Sequence, residues 1–522
     1  MIIKTYKTLI GFFILCFSIQ FLFILFQNPY LQNKYLNRGI LVFVTLGFVL
    51  LSLIFYKLFE KHKAFYTLPR TLLILSILLV GFFVIQLLFI KHVYVNPSWD
   101  FGVVYRNVQA VICDGSELAP TEGDKIYFTR FGNNKGILLL LCSILKGMQN
   151  IGFSINETNI LSYCLVINCI FVQLALWLAA AIFLREKKNY AAIYLVLVMI
   201  FGMILLFYCP IFYTDTFALF IPLLLYHLAL SYEKHPSFWY IPAFTVTIIL
   251  GYLLKLTSVF VLLAYFVYLI LSVKKETMRK SVRQILPLGV AVLLFFLLLY
   301  PVDRFAKGQI GITEEMQDQY EIPYSHWMMM GMYESKDIRV GGYSAEAYEY
   351  TQQFSTLSER KKMTLKKAKE ILQERGIKGE LGYLMRKGVF TWGDGLLFSI
   401  DLLSREQQRP EGLYQRLYDV KRGHEQEGIA YYATGFYYAI LFYVILSLWF
   451  MLFRKEVKRS DIARIVIMGL YVFLMIWETT PRYIFCYLPF LYFISVETLD
   501  DLYGMIPLKK RRIKNGTEKN EG

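Results

Sequence analysis

The sequence predicts an all-α polytopic membrane protein of about twelve transmembrane helices, and three observations carry that expectation. Apolar residues make up 57% of the 522 positions and charged residues only 18%, with a mean hydropathy of +0.46; soluble domains run at roughly 45–50% and about 25%. Apolar runs of membrane-spanning length recur along the chain, and Lys and Arg gather in alternate turns between them. A cytosolic enzyme, a secreted disulfide-rich protein and a disordered chain are excluded on these grounds. The 39 Tyr and 43 Phe suit rings anchored at membrane interfaces.

The first run, Leu9 to Phe26, follows Lys4 and Lys7. It is too long for a signal-peptide core and no small-x-small cleavage site comes after it, so it reads as an uncleaved span. Further runs are centred near Val44, Leu79, Phe171, Val198, Leu223, Thr247, Leu263, Leu294, Val444, Val472 and Phe490. Placing the N-terminus in the cytoplasm and following the alternation makes cytoplasmic turns of Lys57 to Arg70, Arg185 to Lys188, the turn at Lys234, Lys274 to Arg283 and Arg454 to Arg464. The tail Lys509-Lys510-Arg511-Arg512 falls on the same side. These hold about 26 of the 55 basic residues, against about 10 in the short outer loops. The net charge of +16 is therefore a topology signal, with both termini cytoplasmic in a plasma membrane, and not a nucleic-acid surface. The seven cysteines lie mostly inside apolar runs, with Cys113 in a loop, and form no CxxC metal site or disulfide framework.

Two stretches interrupt the alternation, both on the outer face, and divide the chain. Residues 1–90 hold three spans, 91–159 an external loop with juxtamembrane helices, and 160–300 a transmembrane bundle. Residues 301–430 form a small external domain, 431–500 three further spans, and 501–522 a basic tail. In the first loop Gly136 to Leu145 is apolar but too short to span, as in an interfacial helix. From Val302 to Ala430 roughly 19 basic and 20 acidic residues cancel, as a folded soluble unit allows, with a helix expected around Leu357 to Arg375.

Ionisable residues at the membrane or its edge are expensive unless they serve something. Asp100, Arg106, Arg130, Asp215, Lys255, Glu478 and Arg482 all fall on the outer side in this topology. Asp100, in Asn96-Pro97-Ser98-Trp99-Asp100-Phe101-Gly102, is a carboxylate among aromatic rings, suited to general-base work or to capping a helix that starts near Val103. Arg106 comes next on the same helix, and Tyr127-Phe128-Thr129-Arg130-Phe131-Gly132-Asn133-Asn134 adds a cation and two amides. Asp215 stands where it could cap the next span. Lys255 interrupts an apolar turn with no acid near it in sequence, as an ammonium for a lipid phosphate would. In Glu478-Thr479-Thr480-Pro481-Arg482-Tyr483, Pro481 fixes a turn that aims Arg482 at a phosphate or sugar carboxyl, or else Glu478 and Arg482 form a local ion pair. His326 and Trp327, in Ser325-His326-Trp327-Met328, and Thr391-Trp392-Gly393-Asp394-Gly395 suit sugar stacking and equally a hydrophobic plug. Walker A, GxSxG and HExxH patterns are absent.

The Trp99-Asp100 loop acid, the short helix after Arg130 to Asn134, the Lys255-Leu256-Thr257 turn and Pro481-Arg482-Tyr483 before the final span resemble the GT-C superfamily of integral-membrane glycosyltransferases. The likeness is to the branch of protein O-mannosyltransferases and the lipid A aminoarabinose transferase. That resemblance implies transfer of a sugar from a polyprenyl-phosphate carrier to a glycan, lipid or protein acceptor of the cell envelope, on the extracytoplasmic face and with inversion. Asp100 would be the catalytic base, Lys255 and Arg482 would bind the carrier phosphate, and Arg130 would assist. Arg106, Asn133, Asn134, Asp215, His326, Trp327, Glu478 and Tyr483 complete the candidate substrate-binding set. No metal or other cofactor is required, and partner membrane enzymes would make or flip the donor. The chain departs from the family in two ways: two extra spans precede the acidic loop, and Asp100 is followed by Phe101 where some members carry a second acid. Two other functions share these features, a lipid-linked glycan polymerase or ligase and a lipid-linked sugar flippase. The flippase would need polar groups along a path through the spans.

Overall fold

The computed structural model describes residues 2–27, 36–93, 95–272, 278–334, 339–403, 427–454 and 456–505. Among them the chain is helical, with one isolated bridge between Glu334 and Val340 and no strand. The N-terminal helices are α1 (Ile2–Gln27), α2 (Arg38–Lys61) and α3 (Leu68–His92). The next loop folds as α4 (Trp99–Cys113), α5 (Glu122–Arg130) and α6 (Lys135–Asn150). The central bundle holds α7 (Ile160–Arg185), α8 (Asn189–Phe201), α9 (Ile204–Phe207), α10 (Thr214–Phe217), α11 (Phe220–Lys234), α12 (Tyr240–Leu254), α13 (Phe260–Ser272) and α14 (Met278–Ile310). Then come α15 (Glu314–Tyr320), α16 (Tyr324–Met330), α17 (Ala345–Gln352), α18 (Leu357–Trp392) and α19 (Ser399–Leu403). The last helices are α20 (Glu427–Phe453), α21 (Asp461–Ile476) and α22 (Leu488–Met505).

Every expected apolar run is a helix, but they are not of one kind. Seven stretches are long and apolar enough to cross a membrane: Tyr6–Phe26, Arg38–Lys61, Leu68–His92, Ile160–Arg185, Thr214–Lys234, Ile285–Ile310 and Gly428–Phe453. The others, α8, α12, α13, α21 and α22, are 13 to 18 residues long. They are short because the backbone leaves the helix at three places. Gly202 and Met203 (φ 61) end α8; Lys255 is extended between α12 and the 3-10 turn Leu256–Val259; and the chain after α21 is extended to Thr480, then a 3-10 helix from Pro481 to Tyr487. Irregular backbone among apolar helices is tolerated where protein encloses it, and Tyr208, Cys209, Ile211, Phe212, Ile484 and Phe485 are fully enclosed.

Helix ends sort into two groups, as the alternation predicts. At one end Asp500 accepts hydrogen bonds from Tyr56 at 2.9 Å and Tyr190 at 2.7 Å and pairs with Lys188 at 3.0 Å. Arg454 reaches Asp501 at 3.0 Å, Arg459 reaches Glu233 at 2.6 Å, and Asn189 donates to the Tyr66 carbonyl at 2.8 Å. The basic turns around Lys57, Arg185, Lys234 and Arg454 therefore share one end. The tail Lys509 to Arg512, Lys274 and residues 404–426 lie outside the described residues. At the other end lie the 91–159 loop and the three breaks. Phe43, Leu73, Ile77, Val80, Phe296 and Leu297 form an exposed apolar surface on α2, α3 and α14, such as hydrocarbon requires.

The stretch from 301 begins inside α14, which runs to Ile310, and its later part folds back onto the bundle. α18 opens with a capping box of Thr356 and Glu359, breaks at Gly376 (φ 62), and continues to Trp392. Trp392 is enclosed and packs edge-on against Phe17 at 5.4 Å, so it is a plug and not a sugar platform. In α6, Ile137, Leu138, Leu141 and Leu145 are buried while Ser143 and Lys146 are exposed, the stripe of a helix lying on a surface. Gly136 lets α6 touch α12, since a Cβ there would collide with the Leu253 carbonyl group.

Gly136→Val is expected to destabilise the protein by about 1–3 kcal/mol through this overpacking. Gly147→Ala, in the same helix with open space around it, is expected to gain up to about 1 kcal/mol. Thermal denaturation of the two variants in detergent checks the contrast.

Candidate active site

Asp100 stands in the first turn of α4, where the helix N-terminus favours a carboxylate. The preceding residue, Trp99, has φ 46, a left-handed conformation that a bulky residue adopts at a cost of about 1–3 kcal/mol. Gly102 accommodates the turn, because a Cβ there would lie 2.7 Å from the Pro97 oxygen. Each carboxylate oxygen of Asp100 takes one phenol: Tyr127 donates to Oδ1 at 2.6 Å and Tyr213 to Oδ2 at 2.9 Å. The Tyr127 hydroxyl accepts from Asn134 Nδ2 at 2.6 Å, and Asn133 donates to Asn134 Oδ1 at 3.0 Å. The carboxylate is thus oriented while each oxygen keeps a second lone pair for an incoming hydroxyl.

Behind Tyr213 lies Asp215, in α10, with 2% of its side chain exposed. Lys255 Nζ donates to Asp215 Oδ1, and Arg482 Nε stands 4.0 Å from Oδ2. The Arg482 guanidinium is boxed by the rings of Tyr213 at 5.1 Å, Trp99 at 5.6 Å and Tyr483 at 5.7 Å, and Lys255 lies 4.9 Å over Tyr483. Burial works against the charge on Arg482, but the carboxylates, Asp215 first, outweigh it and hold the group protonated. Tyr483 donates to Glu478 Oε2 at 2.5 Å. Burial pushes the Glu478 carboxyl above its ordinary range, against the Tyr483 hydrogen bond and the Arg482 charge, which pull it down. Tyr213 joins the two halves: its hydroxyl holds Asp100 and its ring faces Arg482.

The geometry is that of one carboxylate beside two cations that share a second, walled by aromatic rings and built from four distant segments. A family model described as conserved hypothetical integral membrane protein matches residues 1–501. The chain belongs to that family. It is an integral membrane protein, and its apolar helices contact the bilayer. No curated protein and no solved structure matches this family member.

Of the residues predicted from the sequence, the fold gathers Asp100, Asn134, Asp215, Lys255, Glu478, Arg482 and Tyr483, with Asn133 one hydrogen bond behind. Two expectations need correction. Lys255 has an acid partner, Asp215, 40 residues away in sequence. Arg482 turns to Asp215 while Glu478 takes the Tyr483 hydroxyl, so the two do not form a local ion pair. Other residues stand apart. Arg106 is spent on Asp124 at a surface where 56% of its side chain is exposed. Arg130 lies 5.5 Å over the Tyr320 ring. His326 is enclosed, with Nδ1 2.6 Å from the Thr351 hydroxyl, and burial holds it neutral by lowering its pKa to about 4. Trp327 is half-buried beside it, and its carbonyl accepts from the Glu478 amide at 2.9 Å. Sequence reasoning missed Tyr213 and Tyr127 as ligands of Asp100, although Tyr127 lies in a stretch it quoted and Tyr213 is two residues before Asp215. It also missed Arg464, fully enclosed at the opposite end between Asp461 at 3.1 Å and Glu497 at 2.9 Å. Arg464 reads as part of a basic turn until α21 is seen to begin at Asp461.

Lys255→Met takes the closer of two cations from the Asp215 carboxylate, leaving it to Arg482 at 4.0 Å, and is expected to cost about 1–3 kcal/mol. The double variant Asp215→Asn, Lys255→Met is expected to recover part of this, with a coupling energy of about 1–3 kcal/mol. Denaturation midpoints of the two single variants and the double variant check it.

Proposed function

We propose that this cluster is the active site of a GT-C-type glycosyltransferase moving a sugar from a polyprenyl-phosphate-linked donor to an acceptor hydroxyl. The observation that carries the reading is the convergence of Asp100 with Lys255 and Arg482 through Tyr213. In the reaction, Asp100 takes the proton from the acceptor hydroxyl as its oxygen attacks the anomeric carbon. The bond from that carbon to the phosphate oxygen breaks, and polyprenyl phosphate leaves with inversion at carbon. Lys255 and Arg482 hold the charge that develops on the leaving phosphate. Asp215 offsets one of these two cations and leaves the other to meet the negative charge of a donor phosphodiester. Arg482 Nε and the Thr257 and Ser98 hydroxyls are buried with no hydrogen-bond partner among the described residues, which leaves donors for a ligand. The reading needs no further cofactor.

In this account all twelve apolar helices cross or enter the plasma membrane, with both termini cytoplasmic and the site extracytoplasmic. The shorter helices end at the three breaks because those breaks build the site. The acceptor is a cell-envelope polymer, lipid or protein, and other membrane enzymes supply the donor on the outer leaflet. The sorting of basic turns to the far end supports that orientation.

Asp100→Asn is expected to lower transfer by roughly 10²–10⁴-fold while leaving the protein stably inserted. The check is envelope glycan analysis of a deletion strain complemented with wild type or Asp100→Asn, scored with its pool of polyprenyl-phosphate sugars. One sugar substituent should vanish on deletion, its monophosphate carrier should accumulate, and only the wild type should restore both. Full restoration by Asp100→Asn would remove the base assignment.

A further inference from the structure

Lys387, in the second half of α18, is completely buried and reaches no carboxylate within ion-pair distance among the described residues. Its ammonium instead donates to three backbone carbonyls: Gly331 at 2.6 Å, Trp477 at 2.7 Å and Met475 at 3.0 Å. The count is complete, since an ammonium has three N–H donors and no acceptor. Met475 and Trp477 belong to the C-terminal end of α21, whose last carbonyls have no partner within the helix. Gly331 ends α16. One buried cation therefore ties α16, α18 and the end of α21 together.

The segment after α21 depends on that tie. The Glu478 amide donates to the Trp327 carbonyl at 2.9 Å and the Thr479 amide to Gly341 at 2.8 Å, while the Thr479 hydroxyl meets that of Thr391 at 3.0 Å. Two glycines permit the approach. A Cβ on Gly331 would lie 2.5 Å from the Trp477 carbonyl carbon, and Gly341, at φ 71, leaves room for Lys387 Cε. Trp477 to Thr480 is thus held extended, and Pro481 then starts the 3-10 turn that carries Arg482 and Tyr483. A buried cation with no carboxylate in contact is costly, and burial lowers the Lys387 pKa to about 7 against the more distant pull of Glu478 and Glu380. An apolar side chain of the same length would fill the space without that cost but would leave three carbonyls bare.

We propose that Lys387 is a positioning residue for the active site: by holding three carbonyls it sets where Glu478 and Arg482 stand. What Arg482 does from that position rests on the glycosyltransferase reading; the positioning itself does not.

The test uses the purified full chain in lipid nanodiscs, as wild type, Lys387→Met and Lys387→Arg. Amide hydrogen exchange needs no substrate. In Lys387→Met the Glu478 and Thr479 amides are expected to exchange about tenfold faster or more, with the first half of α18 unchanged. Unchanged exchange at those two amides would overturn the proposal. Kinetics with a polyprenyl-monophosphate sugar give the second readout. Displacement of Arg482, which in that reading holds both the bound donor and the charge developing on its leaving phosphate, is expected to raise the donor KM about tenfold and to lower kcat per folded enzyme as well. A purely structural role would lower the active fraction and leave KM alone, and that result also overturns it. If Lys387→Met does not fold, Lys387→Arg decides. It keeps the charge, but its planar fork cannot meet three converging carbonyls, so a folded Lys387→Arg with wild-type exchange and wild-type KM contradicts the account. A wild type with no transfer at all would sink the proposed function, while the exchange arm still judges Lys387.

Discussion

The contact between Asp215 and the two cations Lys255 and Arg482 is what the rest of the site depends on. A buried charge without compensation is far more expensive than the net stability of a typical domain allows, so three charges cannot meet among apolar helices unless their signs are arranged. Each comes from a different place where the long helices stop: Asp215 from the short helix α10 beyond the break at Gly202 and Met203, Lys255 from between α12 and α13, and Arg482 from the 3-10 helix between α21 and α22. Packing alone would favour helices continuing through those positions. The charge cluster sits where the long helices are interrupted, and the enclosed rings around it hold the irregular backbone out of lipid.

Aromatic residues do the second part of the work. Tyr213 touches both Asp100 and Arg482, so the position of the carboxylate is tied to that of the guanidinium. Trp99, Tyr213 and Tyr483 offer their ring faces to Arg482, and Tyr127 and Tyr213 their hydroxyls to Asp100. A ring with a polar tip can belong to an apolar wall and a hydrogen-bond network together. The cluster is therefore ordered when the protein folds, with no ligand needed to assemble it.

The helices were legible in the sequence because a span announces itself by local composition alone, and every apolar run from Leu9 to Phe490 is helical in the structure. Which helices stop short was not legible, since Lys255 and Gly202 look like single interruptions until the backbone is seen to change direction. The candidate residues were legible for a related reason: Asp100, Asp215, Lys255, Glu478 and Arg482 are charges set in apolar text. Their partners were not. Asp215 and Lys255 are 40 residues apart, and Tyr213 and Asp100 are 113 apart. Pairings at that range are set by tertiary packing and leave no trace in periodicity. Lys387 was hidden for the opposite reason. It sits in the basic α18, where one more lysine attracts no notice, and only its complete burial separates it from the helix's other lysines.

The central claim is that the cluster breaks the bond between a polyprenyl phosphate and its sugar. The most direct measurement incubates purified protein in nanodiscs with a panel of polyprenyl-monophosphate hexoses and pentoses and a crude envelope acceptor. Mass spectrometry follows release of polyprenyl phosphate, and NMR reads the anomeric configuration of the product. The account predicts that one member of the panel is consumed, with polyprenyl phosphate released and the configuration inverted. A panel left intact, or consumption of diphosphate-linked glycans instead, would contradict it.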